Sequence, residues 1–168
     1  MARHSIVREG IAAGIIGATL VALLFLVIDI VAGHAFYTPE TLGRMVLSVL
    51  GPPFNDSTLM VVSFYTVIHY VAFILVGMVA VAIVHAGERE PSILAGALIL
   101  FVAIEILFYG LTALFTESPL GELAWYQIGL ANLLAAIGMG TYLWRRHPAL
   151  SSRLDFALGG EESRGGVR

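Results

Sequence analysis

The chain has 168 residues, of which 58% are hydrophobic and 12% charged, with a formal net charge of −3 and a mean hydropathy of +0.89. A water-soluble domain of this size needs a polar shell that such a composition cannot supply, so the arithmetic points to an integral membrane protein. Cysteine and lysine are both absent, which excludes disulfides, thiol redox work, cysteine-ligated metals, a lysine Schiff base and the phosphate-loop lysine.

Four apolar stretches are long enough for spanning helices, which need about 20 residues each. The first, about 11–31, follows Arg3 and Arg8; it exceeds a signal-peptide core and carries Asp29 near its end, which predicts a retained helix. Thr38-Pro39-Glu40 then reads as a cap, and Leu42, Met45, Val46, Val49 and Leu50 recur at helical spacing, predicting a short amphipathic helix closed by Gly51-Pro52-Pro53. Asn55-Asp56-Ser57 offers an N-cap for the second stretch, about 58–84, and Gly87 a stop for it. The charged turn from His85 to Pro91 leads to the third, about 92–115. Ser118-Pro119 turns the chain into the fourth, about 123–143, making the third and fourth antiparallel neighbours. The expected fold is thus an all-α four-transmembrane-helix bundle over residues 1–147, with a flexible cytoplasmic tail over 148–168. No internal repeat supports an inverted-repeat transporter.

Arginine placement sets the expected orientation. Arg3, Arg8, Arg89, Arg145, Arg146 and Arg153 fall on one side, and Arg44 is the only basic residue in the two opposite loops. The positive-inside rule therefore predicts cytoplasmic termini and an external amphipathic helix. Trp125, Tyr126, Tyr142 and Trp144 bracket the fourth stretch as interfacial aromatics. An all-arginine basic set beside abundant Ala, Gly and Val fits a GC-rich bacterial genome, so the expected location is a bacterial inner membrane. Small residues predict two packing stripes: Gly10, Gly14, Gly17 and Ala18 on the first stretch, and Gly129, Ala136 and Gly140 on the fourth.

Each stretch carries one strongly polar residue: Asp29, His69, Glu105 and Asn132. Such groups are costly in hydrocarbon and normally face a partner or a cavity. His69, Glu105 and Asn132 fall at similar depth, and Asp29 lies nearer the outer surface. Tyr65 shares the face of His69, and Tyr109 that of Glu105, extending the polar stripes outward. Phe73, Val76 and Ala80, with Leu98, Phe101 and Val102, would plug the inner side. The candidate ligand or proton site is therefore Glu105, His69, Asn132, Asp29, Tyr109 and Tyr65, with Glu105 and His69 as its central pair.

Named chemistries find little footing. The histidines offer no pair at one depth for a bis-histidine haem: His69 is central, His34 outer, His85 at the inner end, His4 and His147 cytoplasmic. Glu-x-x-His, HExxH and GxSxG are absent, as is a basic patch for nucleic acid. A mononuclear metal site from His69, Glu105 and Asp29 has suitable donors but mismatched depths. No cofactor is expected. Two functions follow: a non-enzymatic accessory or structural subunit, with the lipid bilayer, a membrane-protein partner or a second copy as its partners; alternatively, small-molecule, proton or ion binding or transport in an outward-facing polar cavity.

Overall fold

The computed structural model describes residues 5–50, 57–90, 92–114 and 125–148. Within them the chain forms α1 (Ile6–Val31), α2 (Tyr37–Leu50), α3 (Thr58–Gly87), α4 (Ser92–Leu114) and α5 (Trp125–Arg146). No strand occurs among the described residues. The helical fold class, the four long segments and the short helix between the first two are all present as expected. The Gly51-Pro52-Pro53 stop, the Ser118-Pro119 turn and the tail beyond Pro148 lie outside the described residues. Among the described residues two helices, α1 with 26 residues and α3 with 30, are long and apolar enough to cross a bilayer; at 1.5 Å per residue they measure ~39 and ~45 Å.

Local chemistry explains the helix ends. α1 begins at Ile6, earlier than the apolar pattern suggests, which takes Arg8 and Glu9 into its first turns. It ends in a Schellman motif: His34 N–H donates to the Asp29 carbonyl (2.9 Å) and Gly33 N–H to the Ile30 carbonyl (3.0 Å). Gly33 takes the left-handed backbone that this motif requires, with φ +84°. Ser57 caps α3 by accepting from Met60 N–H, and α3 stops at Gly87 as the sequence implies. α5 runs on to Arg146, so two arginines occupy its last turn, where cations oppose the helix dipole favourably.

The centre of the fold is a crossing of α1 with α3 and α5, while α2 lies on α3. Small residues make the α1–α3 approach possible. A methyl group on Gly10 would sit 2.6 Å from the Met78 backbone, one on Gly14 2.5 Å from the Phe73 carbonyl oxygen, and one on Gly77 would collide with Gly10 and Gly14. The expected stripe on the first helix is therefore a real packing face, and Gly77 is its partner. The stripe expected on the last helix is displaced. Gly140 has nothing within 4 Å of an added methyl group, and Ala136 is exposed. α5 instead buries Ala131, Ala135, Met139 and Leu143, at i, i+4, i+8 and i+12, with Gly138 admitting the side chain of Leu20. That face combines two small residues, Ala131 and Ala135, with the larger Met139 and Leu143.

Two buried clusters result. Val21 packs with Ala131 and Ala135 in the half nearer α2; Ala13, Val81, Val84, Met139 and Leu143 pack in the other half. Phe73 touches both. Val76, expected on this inner face, is 55% exposed, because the α1-facing stripe of α3 runs through Phe73, Gly77, Val81 and Val84. α4 packs on α3 rather than forming its main contact with α5. Leu94 settles beside Gly87, but Leu98, Phe101 and Val102, expected to plug the bundle, are exposed along with Ile99, Leu100 and Ile106, at 45% to 70%.

Candidate functional site

A cavity of about 210 Å³ lies between α1 and α3 where α2 begins. Its α3 wall carries Tyr65, Thr66, His69 and Tyr70, and its α1 wall carries Thr19, Ala22, Phe25, Leu26 and Asp29; Phe36 and Pro39 close it from the α2 side. The lining is mostly apolar, so each polar group counts. Tyr65 and His69 are one turn apart on α3 and stack with ring centroids 5.8 Å apart, and Phe73 continues the column 4.8 Å from His69. Across the cleft His69 Nε2 donates to the Ala18 carbonyl at 3.1 Å, an acceptor whose second lone pair remains available beyond its helical bond. Thr19 and Tyr70 share a hydroxyl–hydroxyl bond of 3.0 Å. His69 thus fastens α3 to α1 at mid-helix while lining the cavity.

Asp29 is 3% exposed and fully engaged. Its Oδ2 accepts the Thr38 amide at 2.8 Å and its Oδ1 the Thr38 hydroxyl at 2.7 Å. The carboxylate thereby caps α2 from outside that helix, where a negative charge suits the N-terminal dipole. Thr38, read in the sequence as a cap, is itself helical and donates instead of accepting. Glu40, two residues along, accepts from Arg44 at 2.7 and 3.2 Å and from the Thr58 hydroxyl at 3.0 Å, which ties α2 to the start of α3. The Arg44 hydrogen bond, then that of Thr58, holds the exposed Glu40 carboxyl below the ordinary glutamate value. Gly43 completes the docking, since a methyl group there would meet Val61 at 2.7 Å. The link between α1 and α2 is taut: Phe36 adopts φ +70°, a left-handed backbone costly for a side chain of that bulk.

Of the six residues anticipated from sequence, Tyr65, His69 and Asp29 line this one cavity. Asn132 is half-buried on α5, next to the buried Ala131, and is not part of the cavity lining. Glu105 and Tyr109 lie on α4, with side chains outside the described residues. Thr19, Thr38, Thr66 and Tyr70 complete the polar lining without having been anticipated as site residues. Thr19 stands i+3 from Ile16 amid apolar residues, and a lone threonine carries little weight until its partner Tyr70 is known.

The opposite end of the fold holds a second constellation. His147, 4% exposed, follows α5 directly and points Nδ1 at Glu88 Oε1 (2.7 Å) and Nε2 at Glu9 Oε2 (3.1 Å). Glu9 is also buried, at 5%. His85 lies edge-on to His147 with ring centroids 4.9 Å apart and donates Nδ1–H to the Val81 carbonyl at 3.0 Å. One donor atom each from Glu9, His85 and His147 falls within 4.8 Å of the other two. The start of α1, the end of α3 and the end of α5 are thus gathered at one pole.

No family model matches the chain, and no curated protein or solved structure is detectably similar to it. Function is therefore read from these two constellations alone. The polar pole escaped the sequence reading because its members are 59 and 138 residues apart and each resembles an ordinary helix-end charge. One signal was available: His85 and Glu88 stand at i, i+3 on a single helical face.

Proposed function

We propose that this is an integral membrane protein that binds a small, neutral, largely apolar molecule, or a ring-sized part of an amphiphile, in the cavity between α1 and α3. The cavity's composition carries the reading: apolar walls with a few hydroxyl and imidazole groups fix orientation without demanding charge. At about 210 Å³ it falls below the ~300–1,000 Å³ of drug-sized sites, so a single ring or chain end fills it. A metal or proton role for Asp29 and His69 is the weaker fit. Asp29 is already satisfied by Thr38, and His69 by the Ala18 carbonyl.

Membrane insertion is supported by the apolar surface of both long helices. Leu23, Val27 and Ile30 on α1 and Val67, Val71, Leu75 and Val79 on α3 are all more than half exposed, which suits lipid rather than water. Orientation rests on charge: Arg8, Arg89, Arg145 and Arg146 belong to the pole of Glu9 and His147, so that pole faces the cytoplasm of a bacterial inner membrane and α2 with the cavity faces outward. The fourth span is α5 and the third α4, both in one bundle.

The test is ligand binding by the full chain in detergent micelles, with 2-naphthol as the probe of a ring bearing one hydroxyl. Binding should be saturable above micellar partitioning. Ala22→Leu, which fills the cavity, should weaken it at least tenfold while helicity is unchanged. Equal binding by wild type and variant would sink the proposal.

A second reading, a non-enzymatic accessory subunit of a membrane complex, is favoured by α4, whose apolar run from Leu98 to Val102 is exposed among the described residues. Photocrosslinks from positions 99 and 102 in native membranes should then capture a second protein or a second copy. Adducts to lipid alone would leave that reading without support.

A further inference from the structure

We infer that Glu9, His85 and His147 form a binding site for one divalent transition-metal ion, with zinc as the type, at the pole opposite the cavity. Two imidazoles and one carboxylate make a donor set suited to zinc, with a fourth position left for water. The geometry is close to what such an ion requires. With metal–ligand bonds of ~2.0–2.2 Å, donors in a tetrahedral shell lie roughly 3.3–3.6 Å apart. Glu9 Oε2 and His147 Nε2 are already 3.1 Å apart, and the whole set lies within 4.8 Å. Closing it takes a shift of roughly 1–1.5 Å, within the swing of the Glu9 and His85 side chains.

The surroundings of the imidazoles point the same way. A metal-binding histidine normally gives its other N–H to a carboxylate or a backbone carbonyl, which fixes the tautomer and the ring. Both arrangements occur here. His147 Nδ1 meets the Glu88 carboxylate at 2.7 Å, and His85 Nδ1 meets the Val81 carbonyl at 3.0 Å. His85 thereby turns Nε2 to the ligand side, and at His147 a metal ion would take the place of the proton that Nε2 shares with Glu9 Oε2. An ion pair alone would account for one imidazolium between Glu9 and Glu88, but it gives no reason for a second imidazole 4.9 Å away, which as a cation would repel the first. The ion would bridge α1, α3 and the end of α5, above the cluster formed by Ala13, Val84 and Leu143. The inference uses none of the cavity residues, so it stands or falls separately from the ligand reading.

The experiment uses the full chain in detergent, with any purification tag removed and metal stripped by chelator, titrated with Co2+ as the spectroscopic probe and then with Zn2+. One equivalent of Co2+ should raise the visible absorption of a four-coordinate nitrogen/oxygen site, and Zn2+ should bleach it. Glu88→Gln should lower affinity by about 10–100-fold at unchanged stoichiometry, as outer-shell changes do. His85→Ala and Glu9→Gln should each lower it further. His85 is only partly buried, so His85→Ala, checked for native helicity by circular dichroism, decides the matter should the Glu9 variant fail to fold. Absence of a saturable visible band in the wild type, or a band undiminished in folded His85→Ala, would overturn the inference.

Discussion

Replacing Asp29 removes two hydrogen bonds at once, because its two carboxylate oxygens hold the amide and the hydroxyl of Thr38 in a buried setting. Bonds to a charged group contribute ~1.5–3 kcal/mol, and an orphaned buried donor adds its own desolvation cost. Asp29→Ala should therefore destabilise the fold by about 3 kcal/mol in reversible unfolding from mixed micelles, and Thr38→Val, which keeps the amide bond, by about half as much. A loss under ~0.5 kcal/mol in both would show that the cap matters little. Glu40 supplies a pH signature. Its carboxyl is held below the ordinary value, first by the Arg44 hydrogen bond and then by Thr58. A depressed carboxyl contributes stability that is fully present above its unfolded value, about 4.3, and is lost as pH falls through the lower folded value. The α2–α3 contact should accordingly loosen only below about pH 4.3, as read by amide exchange across 40–44, and Glu40→Gln should flatten that profile. Asp29 was legible in the sequence as a costly intramembrane acid, but its partner was not: Thr38 is reached only through a left-handed turn at Gly33 and Phe36, which no periodicity encodes.

At the scale of elements, the α1–α3 crossing rests on backbone proximity rather than on large side chains. Gly77 faces Gly10 and Gly14 with no room for a methyl group, whereas Gly140 on α5 faces open space. The same substitution should thus have opposite effects at the two sites. Gly77→Ala should cost about 1–3 kcal/mol through overpacking, and Gly140→Ala should be neutral or stabilise by up to about 1 kcal/mol through helix propensity. Comparable losses at both positions in thermal unfolding would contradict this assignment of faces. Helix positions were legible because apolar runs of about 20 residues, Ser57 and Gly87 mark them directly. The packing face of α5 was not. Both Gly140 and Gly138 look like interface residues in one dimension, and only the phase set by Ala131, Ala135 and Met139 against Val21 and Val81 separates them.

For the whole molecule, the two polar poles and the apolar middle follow from a composition that is 58% hydrophobic and 12% charged. Apart from Glu105 within α4, charged residues collect at the ends, where Asp29 and Glu40 organise one pole and Glu9, Glu88 and His147 the other. The absence of cysteine makes single-cysteine labelling clean: Ser48→Cys on α2 should react with an impermeant maleimide in intact cells, and Ser5→Cys only after permeabilisation. The reverse pattern would invert the proposed orientation. Half of the anticipated site came together as a cavity because Tyr65 and His69 share a helical face and Asp29 ends the neighbouring helix. Asn132 stayed apart because it belongs to α5, whereas the cavity is lined from α1, α3 and the start of α2. The pole of Glu9, Glu88 and His147 was illegible because its three helices meet only in the folded chain.

The central claim, that the cleft between α1 and α3 takes a small neutral ring-bearing molecule, is tested most directly by photolabelling the full chain in micelles with a diazirine-bearing phenol and mapping adducts by peptide mass spectrometry. Adducts confined to 19–29 and 62–70, and suppressed by excess 2-naphthol, are the predicted result. Labelling spread over α4, or unaffected by Ala22→Leu, would contradict it.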